Sequence, residues 1–253
     1  MQEEAILFCK MTATKAHIIA QLQKDIAPLQ GYKKVQQHAG LDKQLGSITN
    51  AFPGNSFPLG VVHEFICDDI EVGAATNGFV AGMLAALMES GGIIIWIGSN
   101  KNVFPPALKS FGIAPDRIIF INLYKEKEML WAIEEALKCE GLTAVIGELK
   151  ELSFNESRRL QLAVEQSRVT GFILRNNPRS INTTACITRW KISSLPGRLS
   201  GNMPGVGFPR WNVELLKVRN GKPGSWQIEY VAGRFKQVYK MVSIAGEQKR
   251  QTG

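Results

Sequence analysis

From Gly60 to Leu174 the chain alternates short apolar runs with longer stretches whose apolar positions recur at helical spacing. Gly60 to Ile66, Ile93 to Ile97, Ile118 to Asn122, Ala144 to Leu149 and Gly171 to Leu174 read as buried strands. Between them, Gly73 to Ser90 is rich in Ala, Leu and Met and predicts a helix that Gly91 and Gly92 stop. A shorter helix is predicted around Pro106 to Ser110, with proline in its first turn. Glu126 to Cys139 keeps Met129, Leu130, Ile133, Ala136 and Leu137 in helical phase. Ser153-Phe154-Asn155-Glu156 has the spacing of a capping box, in which the serine oxygen and the glutamate satisfy each other's backbone N–H groups, so a helix is predicted from there to about Arg168. Strands that alternate with helices need crossover connections, and those imply a largely parallel sheet.

After Pro178 the pattern changes to strands at Ala185 to Ile192, Asn212 to Val218 and Gln227 to Val231. Asn220-Gly221 marks a hairpin turn between the last two, lengthened by Lys222-Pro223-Gly224. The fold class predicted is therefore α/β, a mostly parallel sheet flanked by helices, with a C-terminal antiparallel hairpin. Leu195 to Arg210, rich in proline and glycine, reads as a loop and a candidate contact surface. At the other end, Ile18, Ile19, Leu22, Ile26 and Leu29 give an amphipathic helix between about Thr12 and Gln37, interrupted at Pro28. It folds back on its own sheet or docks on a partner. Gly40 to Asn55, with its Gly, Asn and Ser, reads as a loop, and the tail beyond Lys240 as frayed.

A hydrophobic fraction of 45% and a charged fraction of 21% over 253 residues place the chain among ordinary globular proteins and against a disordered one. The longest apolar stretch, Gly78 to Met88, is far short of the roughly 20 residues that span a bilayer, and the acidic start lacks a signal's basic region, so a cytoplasmic address is expected. Cys9, Cys67, Cys139 and Cys186 lie far apart without metal-ligand spacing and are expected as reduced thiols, Cys139 and Cys186 as small buried hydrophobes. His17, His38 and His63 have no partner constellation and are assigned structural roles, as are Trp190, Trp211 and Trp226 on their strands.

The net charge of +8 is concentrated in the last third. Between Gly171 and Lys240 stand twelve Lys and Arg residues, among them Arg189, Lys191, Arg198, Arg210, Lys217, Arg219 and Lys222, against Glu214 and Glu229 alone. A polyanion, an acidic partner and a solvated sheet edge fit this equally well. Arg158 and Arg159, early on the capped helix, join the candidate contacts beside the plainer reading of a solvated face.

The segment order through Phe111-Gly112-Ile113 and Pro115 to Ile118 resembles the core of the RecA recombinases. The sequence is more similar still to the ImuA family, on Phe57-Pro58-Leu59-Gly60 with His63-Glu64-Phe65, on Arg158-Arg159-Leu160-Gln161-Leu162-Ala163 with Glu165, and on Pro209 through Gly224. The resemblance covers roughly Phe57 to Phe235 and implies a RecA-like domain over 56–240, behind an N-terminal arm and linker over 1–55 and before a tail over 241–253. It also implies an accessory factor in DNA-damage-induced translesion synthesis, cytoplasmic and nucleoid-associated on damage. The implied partners are an ImuB-like Y-family polymerase homologue and an error-prone C-family polymerase, together with RecA, the DNA backbone and a second copy of the chain as further contacts.

A phosphate-binding loop needs glycines, a lysine and a hydroxyl after the first strand. In Cys67 to Thr76 only Gly73 and Thr76 fit, the lysine position is alanine, and Asp68, Asp69 and Glu71 put negative charge where a triphosphate would sit. The second strand ends Ile97-Gly98-Ser99 without an acidic base, and Gly147 holds the position of the metal-binding aspartate, with Glu148 one place later. No catalytic residue, cofactor or metal is expected. A composite ATPase using Glu148 and Thr76, and a division inhibitor resembling SulA, are the alternatives. The segment Asn176 to Thr184 is too short for a recombinase's DNA loop, which moves any DNA contact to the basic C-terminal strands.

Overall fold

A computed structural model of the chain describes residues 38–89, 91–99, 103–197 and 207–238. The predicted arm between Thr12 and Gln37, His17, Cys9, Arg198 and the tail beyond Lys240 lie outside the described residues. Among the described residues nine strands form one sheet: β1 (Val62–Cys67), β2 (Ile94–Gly98), β3 (Ile118–Asn122), β4 (Ala144–Leu149), β5 (Thr170–Asn176), β6 (Thr188–Leu195), β7 (Arg210–Val218), β8 (Gly224–Val231) and β9 (Arg234–Gln237). Their order is β3-β2-β4-β5-β1-β6-β7-β8-β9. Pairing is parallel from β3 through β6 and antiparallel from β6 to β9.

Among the described residues four α-helices accompany the sheet: α1 (Ala39–Leu45), α2 (Ile70–Leu87), α3 (Glu126–Leu137) and α4 (Phe154–Ser167). α2 lies on one face against β1 and β6, while α3 packs on β2 and β4 and α4 on β1 and β5. The apolar core is accordingly split by the sheet into a large cluster around Phe65, Phe79, Trp190 and Trp211 and a smaller one around Ile133, Leu160 and Ile173. By length and composition α2 could cross a membrane. Its Phe79, Val80, Met83 and Leu84 are instead fully enclosed by the sheet and its neighbours, which explains an apolar surface that runs all round.

The expected loop from Gly40 to Asn55 is instead α1 followed by the 3₁₀ turns Gly46–Ala51 and Pro53–Asn55. Leu41, Leu45, Ile48 and Phe52 recur every three or four residues and are all buried in the larger core. Asp42 ties this segment to the start of the next by accepting from Ser56 Oγ at 2.6 Å and Phe57 N at 2.8 Å. α4 begins as its sequence requires, with both halves of the capping box formed by Ser153 and Glu156. The hairpin signal also holds: β7 and β8 pair antiparallel around Asn220, whose φ of 57° is in the left-handed region asparagine tolerates. β9, which no sequence signal announced, extends the hairpin to a third antiparallel strand.

Candidate functional site

In open parallel sheets the crevice for ligands lies beyond the carboxyl ends of the strands. Here β1 ends at Cys67 and α2 begins with Asp69 as its N-cap, so Asp68 and Asp69 alone make the connection. Asp69 Oδ1 accepts from Val72 N at 2.7 Å, and Asp68 is ion-paired with Lys191. The expected open loop from Cys67 to Thr76 is therefore corrected: Ile70 to Thr76 are helix, and Gly73 lies inside its first turns. Thr76 is fully buried beside the Cys67 thiol, which burial pushes up to about 11 and so keeps protonated. Two linking residues cannot wrap backbone N–H groups around a phosphate, and the helix N-terminus already has a carboxylate on it.

The end of β4 also differs from expectation. Gly147 faces α3, where a Cβ would come within 2.3 Å of Ile133 Cδ1, and it is Glu148 whose side chain turns toward α2's side of the sheet. Of the two residues weighed at this strand end, it is thus Glu148 that shares the side of the sheet holding Trp96. Glu148 is 6% exposed, and its carboxylate accepts from Trp96 Nε1 at 2.8 Å and Asn176 Nδ2 at 3.4 Å. At the end of β2, a Cβ on Gly98 would stand 2.7 Å from Glu148 Cδ, so the missing side chain there leaves the room that Glu148 fills.

On the opposite face of the sheet a buried ionic cluster joins β1, β5 and β6. Glu64, with no exposure, accepts from Arg175 Nη1 at 2.9 Å, Arg189 Nε at 2.8 Å and Thr184 Oγ1 at 2.8 Å. Arg175 further donates to Ser180 O and Asn182 Oδ1, and Arg189 Nη2 to Asn182 O at 2.6 Å. The segment after β5 is therefore stapled to the sheet by two guanidinium groups, each charge opposed by a carboxylate. Sequence reasoning missed this cluster, although a glutamate and an arginine in two otherwise apolar strands are its signal.

The candidate contact residues divide accordingly. Arg189 is 12% exposed in its side chain and committed to Glu64. Lys217 donates to Thr184 O at 2.7 Å, and burial, then Arg189, holds its ammonium below the usual lysine range. Lys191 is paired with Asp68, Arg159 with Glu134, and Arg210 Nη1 donates to Pro196 O at 3.1 Å. Arg158, Arg219 and Lys222 are exposed. Beyond the cluster, the face of β6 to β9 turned away from α2 carries Ser193, Asn212, Gln227, Arg234 and Lys236, while Trp211, Val213, Ile228 and Phe235 point into the core. Trp190 and Trp211 are core residues and Trp226 packs against the core, as expected. His38 caps α1, and Cys186 is buried with its thiol pushed up to about 12. Cys139, expected to be buried, is exposed at the end of α3, where the helix leaves the sheet.

No family model matches the chain. Protein ImuA of Caulobacter vibrioides (strain NA1000 / CB15N) is 32% identical over 210 residues, spanning 78% of this chain and 86% of that protein. The chain belongs to the ImuA family. The cell division inhibitor SulA of Photorhabdus laumondii is 29% identical over 110 residues, or 42% of this ImuA-family chain and 62% of that protein. Among solved structures, the RadB recombinase has a TM-score of 0.52 at 14% identity, covering 79% of this chain and 97% of that one. That likeness shows the fold, a RecA-like α/β sheet.

Proposed function

We propose that this protein is a non-catalytic adaptor of DNA-damage-induced, error-prone translesion synthesis, working through protein contacts. Membership of the ImuA family supports the role in damage-induced mutagenesis. The observation that carries the non-catalytic part is the β1–α2 junction, where Asp68 and Asp69 replace a phosphate-cradling loop and Asp69 caps the helix. Phosphoryl transfer rests on positioning and charge neutralisation, and a junction with exposed carboxylates, whose neighbouring Lys191 is already paired with Asp68, offers neither. Glu148, the carboxylate at the end of β4, is engaged by Trp96 and Asn176.

The partners proposed are an ImuB-like Y-family polymerase homologue and, with it, a C-family polymerase. The purified protein is expected to bind no ATP by equilibrium dialysis and to hydrolyse none with or without single-stranded DNA, while co-purifying with its ImuB-like partner. DNA-stimulated hydrolysis abolished by Glu148→Ala would overturn the reading in favour of a composite ATPase.

A further inference from the structure

Two cavities meet on the first turns of α2. The larger, about 610 Å³, is walled by Val103, Phe104, Leu108, Phe111, Phe208 and Trp211, with Glu71 at its rim. The smaller, about 330 Å³, is lined by Asp69 and the carboxamides of Asn77, Asn176 and Asn177. Ala74 and Asn77 line both, so the two form one groove with an apolar end and a polar, acidic end.

The lips of this groove are unusual for a protein surface. Ile70 is 91% exposed, Phe104 71% and Phe208 48%. Large apolar side chains gathered at a concave site and left in water mark a binding surface, whereas scattered ones do not. The charge at the polar end is equally one-sided. Asp69 and Glu71 are exposed, and of the three carboxylates at this junction Asp68 is the one ion-paired among the described residues. Arg210, at the apolar end, is turned to the carbonyl of Pro196.

We propose that this groove docks a short segment of a partner protein in which a large apolar side chain is followed by basic ones. The apolar side chain fills the larger cavity against Leu108, Phe111 and Trp211, and the basic ones lie over Asp69 and Glu71. The carboxylates that repel a triphosphate are then the attractive half of a protein-binding site. The proposal rests on the adaptor reading, since a nucleotide would compete for the same end of the sheet.

Fluorescence anisotropy with two labelled octapeptides tests it, one carrying Leu-Phe followed by two lysines and the other Leu-Phe followed by two glutamates. The basic peptide is expected to bind about tenfold more tightly than the acidic one, and Glu71→Lys to remove or reverse that preference. Phe208→Ala is expected to weaken the basic peptide by about tenfold, with an unchanged circular dichroism spectrum because the side chain is half exposed. Equal affinity for both peptides, no binding up to millimolar peptide, or indifference to both substitutions overturns the docking proposal and leaves the adaptor reading standing. Displacement of the peptide by ATP would overturn both.

Discussion

Two neighbours in β1, His63 and Glu64, are both fully buried, and because strand side chains alternate they serve opposite faces of the sheet. His63 stacks on Phe57 with ring centroids 4.4 Å apart and has a single protonation state that satisfies its partners. The carbonyl of Pro58, 2.9 Å away, can only accept, so Nε2 carries the proton, and Nδ1 accepts from the Thr188 hydroxyl at 2.7 Å. Thr188 Oγ1 in turn accepts from Trp190 Nε1 at 2.7 Å, which closes a chain of neutral hydrogen bonds. Burial lowers the His63 pKa from 6.5 to about 3, against a smaller opposing effect of Pro58. Above pH 6.5 the folded and unfolded states are both neutral at this residue and its contribution to stability is complete. As pH falls from 6.5 toward 3 the unfolded chain takes up a proton that the folded one refuses, and stability is lost. The loss approaches about 1.4 kcal/mol per pH unit from this one group. Urea unfolding at a series of pH values across that window is expected to show the slope in the wild type and a slope flatter by about one proton in His63→Gln, whose amide does not titrate.

At the scale of elements, α2 shows what its sequence could and could not say. Its Ala, Leu and Met content announced a helix, but its start was read three residues late, because a carboxylate-rich Asp68-Asp69-Ile70-Glu71 looks like a loop until Asp69 is seen as an N-cap. Likewise Leu41, Leu45, Ile48 and Phe52 were in helical phase but embedded among Gly, Asn and Ser, residues that usually signal a loop. The parallel strands were legible because a strand buried on both faces is a continuous apolar run. β9 was not, since Arg234-Phe235-Lys236-Gln237 puts one apolar residue inward and charge outward, as an edge strand does. The glycines of α2 give a paired test of how closely it packs. A Cβ at Gly82 would meet Phe235 Cζ at 2.5 Å, in a ring cluster that also holds Phe79 and Tyr230, whereas a Cβ at Gly73 meets nothing within 4 Å. Alanine is the better helix former by about 1 kcal/mol, so Gly73→Ala is expected to raise the thermal unfolding midpoint. At Gly82 the same gain is outweighed by overpacking of about 1–3 kcal/mol, and Gly82→Ala is expected to lower it.

For the molecule as a whole, the sheet was legible in its class and order of segments, while the site was not. Glu64, Arg175, Thr184 and Arg189 are drawn together across as many as 125 residues, and no local pattern carries such a distance. The opposite facing of Gly147 and Glu148 shows the same limit, because which face a strand end presents is decided by what packs on it. The C-terminal strands carry the clearest consequence. In the sequence they look like an appendage to a RecA-like domain, yet Trp211, Val213, Leu215, Ile228, Tyr230 and Phe235 are part of the same core as α2. Removing residues 210–238 would expose that apolar face, so a chain truncated there is expected to be insoluble, a poor way to ask what the hairpin binds. The other face of β7 to β9 can be altered freely, since Asn212, Gln227, Arg234 and Lys236 are half-buried or exposed and turned away from the core. If these strands contact an acidic partner or a phosphate backbone, Arg234→Glu with Lys236→Glu is expected to keep the wild-type circular dichroism spectrum and thermal midpoint while slowing association and flattening its dependence on salt. Surface plasmon resonance against the proposed ImuB-like partner and against single-stranded DNA, over a range of salt, separates the two contacts. An unchanged association rate in both would confine the proposed adaptor contacts to other faces and leave this charge as the solvation of a sheet edge.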